Sequence, residues 1–273
     1  MRIQLVHVTS YQYQRPARAI LQLLRLTPRP HEGQRVARWG IKLDVDASLR
    51  RGEDALGNII HTAFTAGPVD GLGITVRGEV ETSDTQGVVR GAEERFAPEV
   101  FLRETPLTAA TPELRAYARE AAGPVPPLDQ LHALMTALNR DIAFDTAATT
   151  SAAPAGEAFK IRRGVCQDHS HIFIAAARSL GVPARYISGH LARSDGVVDQ
   201  DAAHAWAEAF VPDLGWVGFD AANGHCVTDA YVRIAAGLDY LGAAPVRGSR
   251  TGGGDERLEV KLRVAHGAAV QSQ

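Results

Sequence analysis

Residues 162 to 171 read Arg162-Arg163-Gly164-Val165-Cys166-Gln167-Asp168-His169-Ser170-His171, and the fold follows from how this stretch is understood. A cysteine stands two residues after a glycine, where a loop passes into an apolar run. Beyond it Ile172, Phe173, Ala176, Ala177 and Leu180 recur at three- and four-residue steps, until Gly181-Val182-Pro183 ends the pattern. This spacing predicts a buried amphipathic helix with Cys166 in its first turn. The free N–H groups and dipole of a helix start favour a thiolate, and N–H groups of the same turn suit an oxyanion. Gly164 reads as the residue that lets the chain turn sharply. A cysteine so placed can equally be a small buried hydrophobe, so its role depends on what else converges there.

Two later stretches supply partners. His204 opens HAWAEAFV and Asp220 ends GWVGFD, with the turn Val211-Pro212-Asp213-Leu214-Gly215 between them. Both stretches read as strands. On a strand every second residue shares a face, so His204, Trp206 and Glu208 lie together, and so do Trp216, Gly218 and Asp220. Folding about Pro212 sets position 204 opposite 220, within cross-strand reach. A two-residue change of register leaves the pair diagonal neighbours, whereas an odd slip separates them. Cysteine, histidine and aspartate so arranged suit nucleophilic acyl chemistry. Cys166 attacks a carbonyl, His204 pairs with the thiolate and protonates the leaving amine, and Asp220 orients the imidazole.

Working outward, residues 1–105 read as β-rich. Ile3, Leu5 and His7 alternate with polar neighbours, and RWGIKLDVD, NIIHTAFTA and GITVRGEVET follow between turn residues that include Gly67-Pro68, Gly71 and Gly73. Short strands at this spacing suggest a small β-sandwich or barrel. From Pro106 the pattern becomes helical. Thr111-Pro112-Glu113 opens a helix expected to run to Ala121, and a second begins near Asp129. Residues 146–158 read as a loop, RLEVKLRV as a last strand, and the end of the chain as a short tail without structure. The expectation is an α+β protein: a sandwich-like β domain over 1–105, then a core over 106–273 with a catalytic helix on an antiparallel sheet.

The chain has 273 residues, a formal net charge of -2 and two cysteines, Cys166 and Cys226. Near-neutral charge offers no attraction for nucleic acid or an anionic membrane. MRIQLVHVTSYQYQ alternates as a strand does, unlike a signal peptide or membrane span. Two cysteines are too few for a disulfide scaffold, which points to a reducing cytoplasm and leaves Cys226 as structural.

GVCQDHSH, HAWAEAF and GWVGFDAANG resemble, in order, the three catalytic motifs of the bacterial transglutaminase-like superfamily, relatives of papain-type thiol enzymes. HVTSYQYQRPA with LLRLTPRP resembles the β-rich region that precedes the core in many bacterial members. The resemblance implies a catalytic Cys166, His204 and Asp220, no cofactor, and a peptide or protein substrate. The superfamily includes crosslinkers, deamidases, peptidases, amidases and members without catalysis. No amine-accepting feature is visible, so hydrolysis of a peptide or side-chain amide is expected ahead of γ-glutamyl transfer or a non-catalytic binding role. Asp168, His169, Trp206 and Trp216 are the candidate substrate contacts, with a dipole role for Asp168 and core packing for the tryptophans as the alternatives. His169, His171, His190, His225 and Cys226 are ligand types for a metal, but they lack Cys-x-x-Cys or His-Glu-x-x-His spacing, and no metal is expected.

Overall fold

The structure, a computed structural model, describes residues 1–267. The short C-terminal tail expected to lack structure falls on residues that lie outside the described ones. Among the described residues, ten strands of six residues or more and five α-helices make up an α+β arrangement. They are β1 (Arg2–Thr27), β2 (Gln34–Leu43), β3 (Ser48–Glu53) and β4 (Ile59–Thr82), then α1 (Pro112–Ala122), α2 (Pro127–Asp141), α3 (Ala155–Ile161) and α4 (Cys166–Ser179). β5 (Ala184–Leu191), β6 (His204–Val211), β7 (Gly215–Asp220), β8 (Tyr231–Gly237), α5 (Tyr240–Ala243), β9 (Val246–Gly252) and β10 (Glu256–His266) follow among the described residues.

The N-terminal strands form a single seven-stranded sheet in the order β2, β4, β1, β10, Asp199–Gln200, with β3 on β4 and β9 on β1. NIIHTAFTA and GITVRGEVET are therefore not separate strands but the two ends of β4, and β1 pairs with it across a register break between Gln12 and Ala17. Gly67 and Gly71 lie inside β4 where a turn was expected. A side chain there would strike the carbonyl oxygens of Ala17 and Tyr11, at 2.0 and 2.6 Å from the Cβ position. These glycines serve close approach of two backbones, which in the sequence looks the same as a turn. The strand at RLEVKLRV forms as β10, but it joins β1 in the N-terminal sheet and not the sheet of the second half.

The second sheet runs His225–Cys226, β7, β6, β5, β8, with Val88–Val89 on β7. Its edge strand β8 is closed by side chains from the first half of the chain. Gln34 exchanges two hydrogen bonds with the backbone of Arg233, and Asn58 exchanges two with Ala236, at 2.8–2.9 Å. Two side-chain amides thus satisfy an edge that would otherwise invite another strand. The N-terminal sheet is in this way fastened to the sheet that carries His204.

Thr111 caps α1 as its sequence predicts, its hydroxyl accepting from Leu114 N, and Gly123 ends the helix at positive φ. The stretch 146–158 is not wholly a loop, because Ala155, Ala158 and Phe159 bury one face of the short α3. Small residues hid this helix from a reading based on bulky apolar spacing. α4 is buried on all sides from Gln167 to Arg178, polar residues included, and so is not amphipathic in the usual sense. It packs on β6 and against α1, α2 and α3. At its far end Arg178 donates to the carbonyls of Phe101, Ala184 and Leu238 and to the Thr108 hydroxyl, at 2.7–3.1 Å. Among the described residues no helix is long and apolar enough to cross a membrane.

Candidate functional site

The site lies where the start of α4 meets one end of the β6–β7 hairpin. Asp168 shapes that start. Its Oδ2 accepts from Val165 N at 2.8 Å, the residue preceding the helix, and from the Thr149 hydroxyl at 2.7 Å. The carboxylate therefore satisfies one donor at the helix mouth and ties down the loop before it. This corrects the reading of Gly164. The residue is not at positive φ but extended, and it is glycine because a side chain would meet Asp168 Oδ2 at 2.5 Å. Cys166, the first helical residue, remains partly exposed.

In the hairpin, Glu208 pairs with Gly218 and Ala207 with Phe219. Continued along the strands, this register sets 206 across from 220, two residues off the expected pairing. His204 and Asp220 thereby become diagonal neighbours on one face, which long side chains span. Their contact is close: His204 Nε2 to Asp220 Oδ2 is 2.6 Å. With Nε2 so engaged, Nδ1 is the nitrogen left for Cys166, whose thiol is near enough to influence the imidazole.

The electrostatics follow from burial and partners. Burial works against a charged His204, but the hydrogen bond it donates to the Asp220 carboxylate, together with its attraction to Cys166 and to the Asp220 charge, overcomes it and raises the imidazole to about 10. Burial likewise opposes an ionised Asp220, and the His204 hydrogen bond with the others around it holds the carboxyl at about 2. Those others are numerous. Oδ1 accepts from the N–H groups of Ala222 and Asn223, at 3.0 and 3.2 Å. Oδ2 accepts from the Asn223 side-chain amide and the Tyr231 hydroxyl, both at 2.7 Å. The carboxylate is thus held in place and kept charged from four directions besides His204.

Asn223 and Tyr231 were not among the residues picked out from sequence. Asn223 was detectable, since an aspartate followed by small residues and Asn-Gly is an Asx-turn signal. Tyr231 gave no local signal, because it reaches Asp220 from β8, on the far side of the sheet order.

All four candidate substrate contacts are buried, with 4% or less of their surface exposed. Asp168 is occupied at the helix mouth as described. The His169 nitrogens face two carbonyls, Val165 O at 3.0 Å and Ile142 O at 3.2 Å. The Trp206 ring stacks behind His204 at 6.3 Å and meets Tyr231 edge-on at 5.3 Å, so it backs the histidine without walling a cleft. Trp216 lies at the other end of the hairpin, edge-on to Phe101 and Phe210, with the Arg185 guanidinium 3.8 Å over its ring. A shared strand face did not place it near the site, because Trp216 pairs with Phe210, six residues along β6 from His204.

Glu208, on the His204 face, belongs to a buried ion-pair network. It accepts from Arg185 at 2.7 Å and from Arg233 at 2.8 Å, and Arg185 grips Glu94 with both terminal nitrogens. Burial would raise its pKa, but Arg233 and Arg185 bring it down to about 2. Of the possible metal ligands, His171 accepts from Tyr240 N at 3.0 Å, and His190 faces His7 edge-on at 5.6 Å. Among the described residues no three histidine, cysteine or acidic side chains converge as a metal set. Cys226 is a free thiol on the short strand beside β7, 3.9 Å from His132 Nδ1, and burial raises it to about 11.

Comparison with known proteins agrees with this architecture. Residues 115–221 match the profile of the transglutaminase-like superfamily core, and residues 3–81 that of the bacterial transglutaminase-like N-terminal region. The two together span more than half of the chain, which belongs to the transglutaminase-like superfamily. An uncharacterized protein of Mycobacterium leprae is 27% identical over 96% of this chain and 98% of its own length. An uncharacterized protein of Mycobacterium tuberculosis is 29% identical over 90% of this chain and 87% of its own. Among solved structures, a candidate cysteine protease from Cytophaga hutchinsonii superposes with a TM-score of 0.79 at 18% identity, covering 97% of this chain and 90% of that one. At that identity the likeness is one of fold.

Proposed function

We propose that the chain is a cytoplasmic Cys-His-Asp thiol enzyme that hydrolyses peptide or side-chain amide bonds of a peptide or protein substrate through a thioester. The observation that carries this reading is the 2.6 Å contact of His204 with an Asp220 held from four other directions, beside a partly exposed Cys166 at a helix start. The His204 imidazolium stabilises the Cys166 thiolate, which attacks the substrate carbonyl. The sulfur–carbon bond forms, and N–H groups of the first turn of α4 meet the developing oxyanion. The carbon–nitrogen bond breaks as His204 delivers its proton to the leaving amine. Water then attacks the thioester, with His204 now accepting a proton, and releases acid and thiol. Asp220 favours the imidazolium throughout and keeps one ring nitrogen turned to the sulfur.

A library of peptides and glutamine amides, followed by mass spectrometry of Cys166 adducts, tests this. Turnover that disappears in Cys166→Ala supports it, and full activity of that variant on any substrate overturns it. Incorporation of a labelled primary amine in place of water would make the enzyme a γ-glutamyl transferase and overturn the hydrolytic part alone. An unreactive Cys166, alkylated no faster than Cys226, would indicate a binding protein.

A further inference from the structure

The start of α4 is bordered by a feature that the chemistry above does not use. Ala143 and Phe144 pair in parallel with Arg163 and Gly164, the residues leading into Cys166. Ala143 N donates to Arg162 O and Asp145 N to Gly164 O, both at 2.9 Å. In a parallel ladder the residue between two such donors turns its own N–H and C=O to the opposite side. The N–H and C=O of Phe144 therefore face the open edge of this ladder, and Ala143 and Phe144 are both exposed. The Phe144 side chain is the most exposed large apolar group among the described residues, at 60%. Its ring lies near-parallel to His169 at 6.4 Å, and His169 sits one turn beyond Cys166, held between two carbonyls. An aromatic ring is thus supported on a fixed imidazole next to the nucleophile while its other face meets solvent.

We infer that Phe144 is a specificity-determining residue: its backbone edge takes an extended peptide segment, and its ring takes an apolar side chain of the residue that supplies the acyl group or its neighbour. The inference rests on the thiol-enzyme reading and narrows its substrate class to extended chains with an apolar residue at the cut. Strand addition to an open edge supplies orientation through main-chain hydrogen bonds, and the adjacent side-chain surface supplies selectivity. The same edge gives a peptide a place to bind where Trp206 and Trp216 are buried.

The test uses the full chain and peptidyl chloromethyl ketones, which alkylate a thiolate with loss of chloride, with iodoacetamide as the probe lacking a peptide. Probes carrying leucine or phenylalanine beside the warhead should inactivate about tenfold faster than those carrying glycine or aspartate, the lower range for one apolar side chain in a site. Phe144→Ala should reduce that preference to about twofold or less, whereas Leu258→Ala, at the next most exposed large apolar side chain but on β10, should retain it. N-methylation of the probe amide that would face the Phe144 carbonyl should slow inactivation about tenfold. A Cys166 that iodoacetamide modifies readily, but peptidyl probes without preference, overturns the subsite and leaves the thiol enzyme standing. A Cys166 inert to every probe overturns both.

Discussion

Replacing Asp220 by asparagine isolates the part of the site on which the functional reading depends. The carboxylate accepts from His204, Tyr231, Asn223 and two backbone N–H groups, so both oxygens are surrounded by donors alone. Asparagine presents one oxygen and one NH2, and either orientation sets that NH2 against a donor. A buried donor left unmatched costs about 1–3 kcal/mol, which is the expected loss of folding stability. The charge lost matters separately. A hydrogen bond to a charged partner contributes roughly 1.5–3 kcal/mol, and 1.36 kcal/mol corresponds to one pH unit. His204, held at about 10 in the wild type, should therefore titrate roughly one to two pH units lower in Asp220→Asn. The sign for stability follows from the same shift. A histidine whose folded pKa is raised contributes fully below its ordinary value of 6.5 and loses that contribution as pH rises through about 10. The gap in stability between wild type and variant should be widest at pH 6.5 and below, down to the acid range where Asp220 itself protonates, and should shrink toward pH 10. Nitrogen-15 NMR of labelled histidines gives the titration, and urea unfolding gives the gap. An unmoved His204 midpoint, or a gap that widens with pH, would refute the coupling and the roles drawn from it.

Other outcomes follow from buried groups. Glu208→Gln should destabilise the fold by about 3–5 kcal/mol in denaturant melts, because it leaves the Arg185 and Arg233 guanidinium groups without their shared buried anion. In the wild type, Glu208 is held at about 2, so its contribution is present above 4.5 and lost as pH falls through about 2. His7 and His171 are both lowered to about 4 by burial, so the folded state holds them neutral where the unfolded chain binds protons. Stability should fall between pH 6.5 and 4, a loss that His171→Asn reduces if the variant folds; a urea midpoint flat across that range would contradict the assignment. At pH 7.5, iodoacetamide should modify Cys166 at least tenfold faster than Cys226, whose thiol burial raises to about 11. Peptide mapping by mass spectrometry reads the ratio, and equal rates would contradict it.

Where each group was legible depends on the range of the interaction that places it. Thr111 and Pro112 announced α1 because capping is settled within four residues. The helix from Cys166 was announced by its spacing, and the His204–Asp220 contact by strand parity, which survives the two-residue shift of register because the side-chain period is two. The glycines misled. Gly67, Gly71 and Gly164 read as turn residues, yet they make room for a crossing backbone or a returning carboxylate, and that partner is distant or unspecified in the sequence.

The sequence by itself determined the periodic elements, the order of the three chemical motifs and the parity that puts His204 and Asp220 on one face. These depend on local geometry repeated every two or 3.6 residues. Only the tertiary structure decided that β10 closes the first sheet, that Gln34 and Asn58 seal the edge strand of the second, and that Tyr231 anchors Asp220. It also decided that the expected substrate contacts are buried while Phe144 is open beside Cys166. Burial and long-range pairing are properties of which surfaces meet, and a face pattern along one strand cannot say what will cover it.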